Sequence, residues 1–260
     1  MDTRNRIGLP EKRGTCMLID THCHVDQFSS PEEVVQECEM EGMRVVAVTN
    51  LPSHFIVTAD RLRGHPLVCA ALGSHPLSAA NGIRELAAFK RMAPHADYIG
   101  EIGLDFSNQG MPSKALQERL FEEILHTIKG RPRFITLHSK GAEYAVLESL
   151  HRHKIRGAVF HWFSGSAKDL AKVIDDGHLV SVNVPMLSSL SGRRVVECAP
   201  MESILVESVA PFAKMRGKLS HPRDIKLVYE TLALQWGKTF KEVTDTVKSN
   251  YERIISQFEK

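Results

Sequence analysis

A single α/β domain folded as a (β/α)₈ TIM barrel is the fold class this sequence predicts, on three observations. Short apolar runs alternate with segments of helical length and periodicity, a pattern that demands parallel crossover connections. Eight such units fit the chain, and its 260 residues match the roughly 250 usual for a barrel. Polar residues suited to chemistry close several of the runs, and a barrel carries its chemistry at the carboxyl ends of its strands.

The strands are placed near Met17–Asp20, Arg44–Thr49, Leu67–Leu72, Tyr98–Glu101, Phe134–Leu137, Ala158–Phe160, Leu179–Val182 and Ile204–Glu207. Between them, Pro31–Glu41, Ile83–Met92, Lys114–Ile128 and Ala142–His151 have helical length and periodicity. Two last helices, roughly Pro222–Gln235 and Thr239–Phe258, close the ring. Met1–Cys16 is polar and basic with no periodicity, so residues 1–16 are expected to form a flexible leader and residues 17–260 the barrel domain.

The first strand ends in Asp20-Thr21-His22-Cys23-His24. Residues i and i+2 of a strand share a face, so His22 and His24 can converge on one metal ion, while Cys23 points away. Thirteen histidines make one such pair unsurprising. The recurrence gives it weight: His75, Glu101, His138 and His161 each follow a strand-like run of their own. A satisfied buried imidazole is the alternative for any one of them.

Composition fits one globular domain, with 43% hydrophobic and 25% charged residues. No apolar run approaches 18 residues and no secretory signal is readable, so no membrane is expected and a cytoplasmic location is the default. The five cysteines lack CxxC spacing and are read as reduced thiols. A net charge of +2 is too small to argue nucleic-acid binding from bulk electrostatics. Arg193-Arg194, Arg216–Lys218 and Arg223–Lys226 are local basic clusters expected on loops after strands seven and eight. They either steer a phosphate backbone or are solvated loop charges.

In order along the chain, Asp20-Thr21-His22-Cys23-His24, Gly73-Ser74-His75-Pro76, Gly100-Glu101-Ile102-Gly103-Leu104-Asp105-Phe106, Leu137-His138-Ser139 and His161-Trp162-Phe163-Ser164-Gly165 closely resemble the signature blocks of the TatD-like metal-dependent deoxyribonucleases of the amidohydrolase superfamily. The resemblance implies a metal-dependent hydrolase that cleaves phosphodiester bonds of DNA, single-stranded or at ends, with two divalent ions (Zn, Mn or Mg) per chain. It implies that His22 and His24 hold one ion, that Glu101 bridges, and that His138 and His161 hold the second. His75 and Lys140 are carried as substrate contacts; for His75 a hydrogen bond from the following turn accounts for the block equally well. Within the family, Val25–Phe28, Ala47–Pro52 and His161-Trp162 are most similar to the TatD-like component of the Qat anti-phage defence system. That likeness implies an ATPase and a QueC-like protein as partners.

One block departs from the family. Where the family carries a Glu-Thr/Ser-Asp-x-Pro sequence at the end of strand eight, this chain reads Glu207-Ser208-Val209-Ala210-Pro211. Val209 stands at the position of an aspartate that binds metal and orients the attacking water, so the expected base is missing. Glu207 shares its strand face but lies roughly 6.6 Å deeper, within reach of a metal only by rearrangement. Three readings compete: a nuclease weakened at Val209, an amidohydrolase acting on a small cyclic amide or ester, and a non-catalytic binding subunit of a defence complex.

Overall fold

The computed structural model describes residues 17–215 and 218–258; the expected leader and part of the Arg216–Lys218 cluster lie outside them. Eight parallel strands form the barrel: β1 (Ile19–Cys23), β2 (Arg44–Val48), β3 (Val68–Ala71), β4 (Tyr98–Gly103), β5 (Phe134–His138), β6 (Val159–Phe160), β7 (Leu179–Val182) and β8 (Ile204–Val206). They lie in two arcs, β1-β2-β3 and β4 through β8. A parallel bridge from Leu72 to Ile99 joins the arcs on one side. On the other, β1 meets β8 where the Thr21 hydroxyl donates to the Val206 carbonyl and the Val209 amide donates to the His22 carbonyl. The (β/α)₈ architecture is therefore as the alternation predicts.

The helices of the ring are α1 (Pro31–Glu41), α2 (Pro52–Arg61), α3 (Ala79–Met92), α4 (Lys114–Ile128), α5 (Glu143–His153), α6 (Ala167–Asp175), α7 (Val184–Ser188), α8 (Leu190–Cys198), α9 (Ile225–Trp236) and α10 (Phe240–Ile255), with a short hairpin of β9 (Lys214–Met215) and β10 (Lys218–Leu219) after β8. Their starts follow local chemistry. Proline occupies the first turn of α1 and α2, where no amide partner is lost. Reciprocal side-chain caps open α6 at Ser166/Asp169 and α10 at Thr239/Glu242. Arg193 and Arg194 belong to α8, not to a loop as expected, because the Ser189 side chain accepts from the Gly192 amide and starts a helix ahead of them.

β1, β2 and β4 are buried along their whole length, as parallel strands under helices are. Two glycines let them approach closely enough to build a centre. A Cβ on Gly103, at φ +140°, would lie 2.0 Å from the His138 carbonyl oxygen, and one on Gly73 would lie 1.6 Å from that of Thr49. No described helix is long and apolar enough to cross a membrane. Cys23, Cys38, Cys69 and Cys198 are not joined in disulfides.

Candidate metal centre

Two irregularities in the ladder aim the key side chains. The register of β4 against β5 shifts between Ile99 and Ile102, around Glu101, and that of β1 against β2 shifts between Asp20 and Cys23, around His22. Such shifts re-aim a side chain that a regular pleat would point elsewhere. The Asp20 carboxylate holds the second of them, accepting from the His22 and Ser208 amides. Burial pushes the Asp20 carboxyl up to about 7.

Five imidazoles converge on the one carboxylate of Glu101. His138 Nδ1 lies 2.7 Å from its Oε1, His161 Nε2 3.0 Å and His75 Nε2 3.4 Å. His24 Nε2 lies 3.4 Å and His22 Nε2 3.5 Å from Oε2. The rings of His22 and His161 stack with centroids 3.9 Å apart. The residues expected as ligands thus come together, His22 and His24 at Glu101 Oε2 and His138 and His161 at Oε1. Atoms of His22, Glu101 and His161 form one compact set of potential ligands, and those of His75, Glu101 and His138 form another. His75, expected as a substrate contact or a turn acceptor, does accept from the Leu77 amide through Nδ1, and its Nε2 joins the cluster. Lys140 is exposed after β5, where its carbonyl accepts from the Phe106 amide.

The cluster is electrostatically incomplete as a set of protein groups. Burial by itself would raise the Glu101 carboxyl, yet the imidazoles around it outweigh burial and hold it well below the usual range. Burial drives His24 well below the ordinary imidazole value and lowers His22. His161 goes the other way: burial opposes its charge, but Glu101 and Glu207 on its two sides raise it to about 10. His22 Nε2 and His24 Nδ1 are buried without any hydrogen-bond partner. Of these, His22 Nε2 faces the Glu101 carboxylate; imidazole nitrogens gathered on a shared carboxylate are the donor set that divalent cations take, and nitrogen with oxygen suits zinc or manganese.

A surrounding set of residues locks these side chains in place. His22 Nδ1 lies 2.9 Å from the Thr136 hydroxyl, leaving Nε2 for the centre. His138 Nε2 lies 2.9 Å from Asp105, whose amide donates to Gln117 on α4. Glu207 does not reach Glu101's side of the cluster; its Oε2 sits 3.4 Å from His161 Nδ1, on the far side of that ring. The Trp162 amide, the Ser181 hydroxyl and the Asn183 amide group all donate to Glu207, which fixes it there. Such carboxylate–histidine pairs orient metal ligands and raise their basicity. Sequence reasoning assigned no role to Asp105, Thr136, Ser181 or Asn183. Asp105 carried a signal, standing four residues past Glu101 in a quoted block; Ser181 and Asn183 carried only the alternation of β7.

Val209 is 3% exposed and has φ +52°, a left-handed conformation that is a genuine outlier for a β-branched residue. Its amide is anchored on the His22 carbonyl, 2.9 Å away, so position 209 borders the cluster. Three residues on, the Phe212 ring stands edge-on to His24 at 4.8 Å.

Known proteins are similar to this chain in sequence and in fold. A metal-dependent hydrolase of uncharacterized function from Methanocaldococcus jannaschii is 23% identical over 240 residues, covering 89% of this chain and 94% of its own. The 3′-5′ ssDNA/RNA exonuclease TatD of a Rahnella species is 24% identical over 245 residues, covering 86% of this chain and 91% of its own. The crystal structure of YJJV, a TatD homologue of Escherichia coli K12, superposes with a TM-score of 0.84 at 25% identity, over 92% of this chain and 98% of that one. The sequence pattern of the TatD related DNases matches residues 19–256, and with the barrel and its histidine-ringed glutamate in place, the chain belongs to that family of metal-dependent hydrolases.

Proposed function

We propose that this chain is a two-metal phosphodiesterase scaffold for DNA, weakened at Val209, that serves an anti-phage defence system. The observation that carries the reading is the convergence of five imidazoles on Glu101. In this reading Glu101 would serve two cation positions, with His22 and His24 at its Oε2 and His138 and His161 at its Oε1, where His75 also lies. A divalent pair held there would act as a Lewis acid on water and on the phosphoryl oxygens. Glu207 and Asp105 orient His161 and His138, and Lys140 meets the substrate phosphate. Residues 17–260 form the hydrolase domain and residues 1–16 a leader.

Val209 has neither a lone pair for a cation nor a site for a proton, so the attacking water lacks its expected base. That observation also favours a second reading, a binding subunit of a complex like the one in which QatD, the TatD-like component of Qat, works beside an ATPase and a QueC-like protein. A wide groove beside the centre supports a polymeric substrate over a small cyclic amide or ester. Elemental analysis of the purified chain, paired with cleavage of single-stranded DNA in manganese or magnesium by the chain and by Glu101→Gln, tests the reading. Bound metal with cleavage that Glu101→Gln abolishes supports the enzyme. Metal without cleavage, even after Val209→Asp, leaves the binding subunit. A metal-free chain with no affinity for added zinc or manganese sinks both metal positions.

A further inference from the structure

The barrel carries a second polar cleft, of about 310 Å³, at the end opposite the metal centre. Arg156, His178, Ser203, Arg253, Ile254 and Gln257 are among its walls, contributed by the segments that lead into β6, β7 and β8 and by the end of α10. Its volume is at the small end of the range for ligand sites. No residue of the metal centre lines it, because His161 and Glu207 follow β6 and β8 at their other ends.

The walls hold two arginines and no carboxylate. Arg156 lies back over Gly177, where a Cβ would be 3.8 Å from its Nη1, and that nitrogen donates to the Asp176 carbonyl at 2.9 Å. Arg253 donates through Nη2 to the Glu202 carbonyl at 2.6 Å. Each tie fixes one nitrogen of a five-donor fork and leaves the remainder for a ligand. The Asp176 carboxylate beside the cleft is shared among several groups: Arg156 Nη1 and His151 Nδ1 each lie 3.5 Å from its Oδ1, and His178 Nε2 lies 3.6 Å from its Oδ2.

His178 adds an unusual donor. Its side chain is fully buried, and its Nδ1 accepts from the Ala158 amide at 3.2 Å, which puts the proton on Nε2. Nε2 has no hydrogen-bond partner. Buried donors in native folds are nearly always paired, so an orphan in the wall of a cleft points to a ligand. Beside it, Leu179 and Ile254 supply a buried apolar floor.

Two guanidinium forks, an imidazole N–H and the Ser203 hydroxyl outnumber the two oxygens of a carboxylate and match the charge and the several oxygens of a phosphate. We propose that this cleft binds a phosphate group, free or on a small monoester, between Arg156 and Arg253, with the Ser203 hydroxyl and the His178 N–H as further donors and any organic part against Leu179 and Ile254. The site stands apart from the phosphodiesterase reading, since the two ends of the barrel share no wall residue.

Isothermal titration calorimetry of the purified chain with inorganic phosphate and with thymidine 5′-monophosphate tests it. Arg156→Gln and Arg253→Gln should each weaken phosphate binding at least about tenfold, because each removes a charge-assisted fork. Lys248→Gln removes the same charge from α10 outside the cleft and should stay within about twofold of the parent. Glu101→Gln, at the other end of the barrel, should leave the binding in place. Phosphate should also raise the melting temperature of the parent and of Lys248→Gln but not of either arginine variant, a comparison made within each variant and so independent of its own stability. Equal affinities for the two probes identify the free ion as the ligand, and a tighter monophosphate identifies a monoester. Binding that both arginine variants keep and Glu101→Gln abolishes puts the phosphate at the metal centre and overturns the site. Absence of binding by either probe at millimolar concentration overturns it as well.

Discussion

Replacing Val209 by aspartate should lower stability without metal and raise it with metal, while switching on cleavage. The valine side chain is buried, and losing it costs about 1.5–3 kcal/mol. Against this, valine at φ +52° pays about 1–2 kcal/mol of backbone strain, and aspartate tolerates that conformation better. Placing a second carboxylate near Glu101 adds repulsion when no cation is present. The metal-free variant should therefore be less stable by about 2 kcal/mol, a drop of about 4–8 °C in melting temperature for a chain this size. A cation at a thousand times its Kd returns about 4 kcal/mol, so the metal-induced rise should exceed that of the parent. Supplying the water-orienting base should raise cleavage of a single-stranded oligonucleotide in manganese by about 10² to 10⁴. Thermal melts with and without manganese and a gel assay on labelled DNA read both effects. If the parent chain already cleaves as fast as Val209→Asp, or if the two gain equally on adding metal, position 209 is not a ligand site and the proposed loss of the base is wrong.

Glu207→Gln should weaken metal binding about 10–100-fold by releasing His161 from its orienting carboxylate; a chelator competition giving unchanged affinity would remove that role. His178, on the opposite end of the barrel, is held neutral by burial with its value lowered to about 4, and its Nδ1 accepts from the Ala158 amide. Its folded value lies below the unfolded one of about 6.5, so the stability it contributes is present above pH 6.5 and lost as pH falls toward 4, by about 3 kcal/mol. His178→Asn keeps an acceptor and should flatten that part of the stability profile in urea melts; an unchanged slope would contradict it. Deleting residues 1–15 should lower the melting temperature by less than about 8 °C, equivalent to roughly 2 kcal/mol, because the segment's sequence has no apolar periodicity; a larger drop would mean it packs on the barrel.

Alternation of apolar runs with helical segments was enough to determine the barrel, because parallel strands buried on both faces must be nearly all apolar and must be joined by crossovers. The ends of those runs named His22, His24, Glu101, His138 and His161, since residues at strand ends face the mouth. How closely they meet was decided only by tertiary structure. Pleat alternation implies that His22 and His24 act as a pair, and both reach Glu101 Oε2; the register shifts at β1 and β4 bring His22 against His161 as well and place Glu101 among all five rings. His75 joined for the same reason: Gly73 lets its loop press on Thr49, an approach no local pattern encodes. Thr136, which bonds His22, and Ser181 and Asn183, which bond Glu207, are ordinary residue types far in sequence from those partners, so only their meeting in space reveals them. Val209 is visible from sequence as a missing aspartate by family resemblance; that it is buried in a left-handed turn bonded to His22 follows only from β1 and β8 closing the barrel.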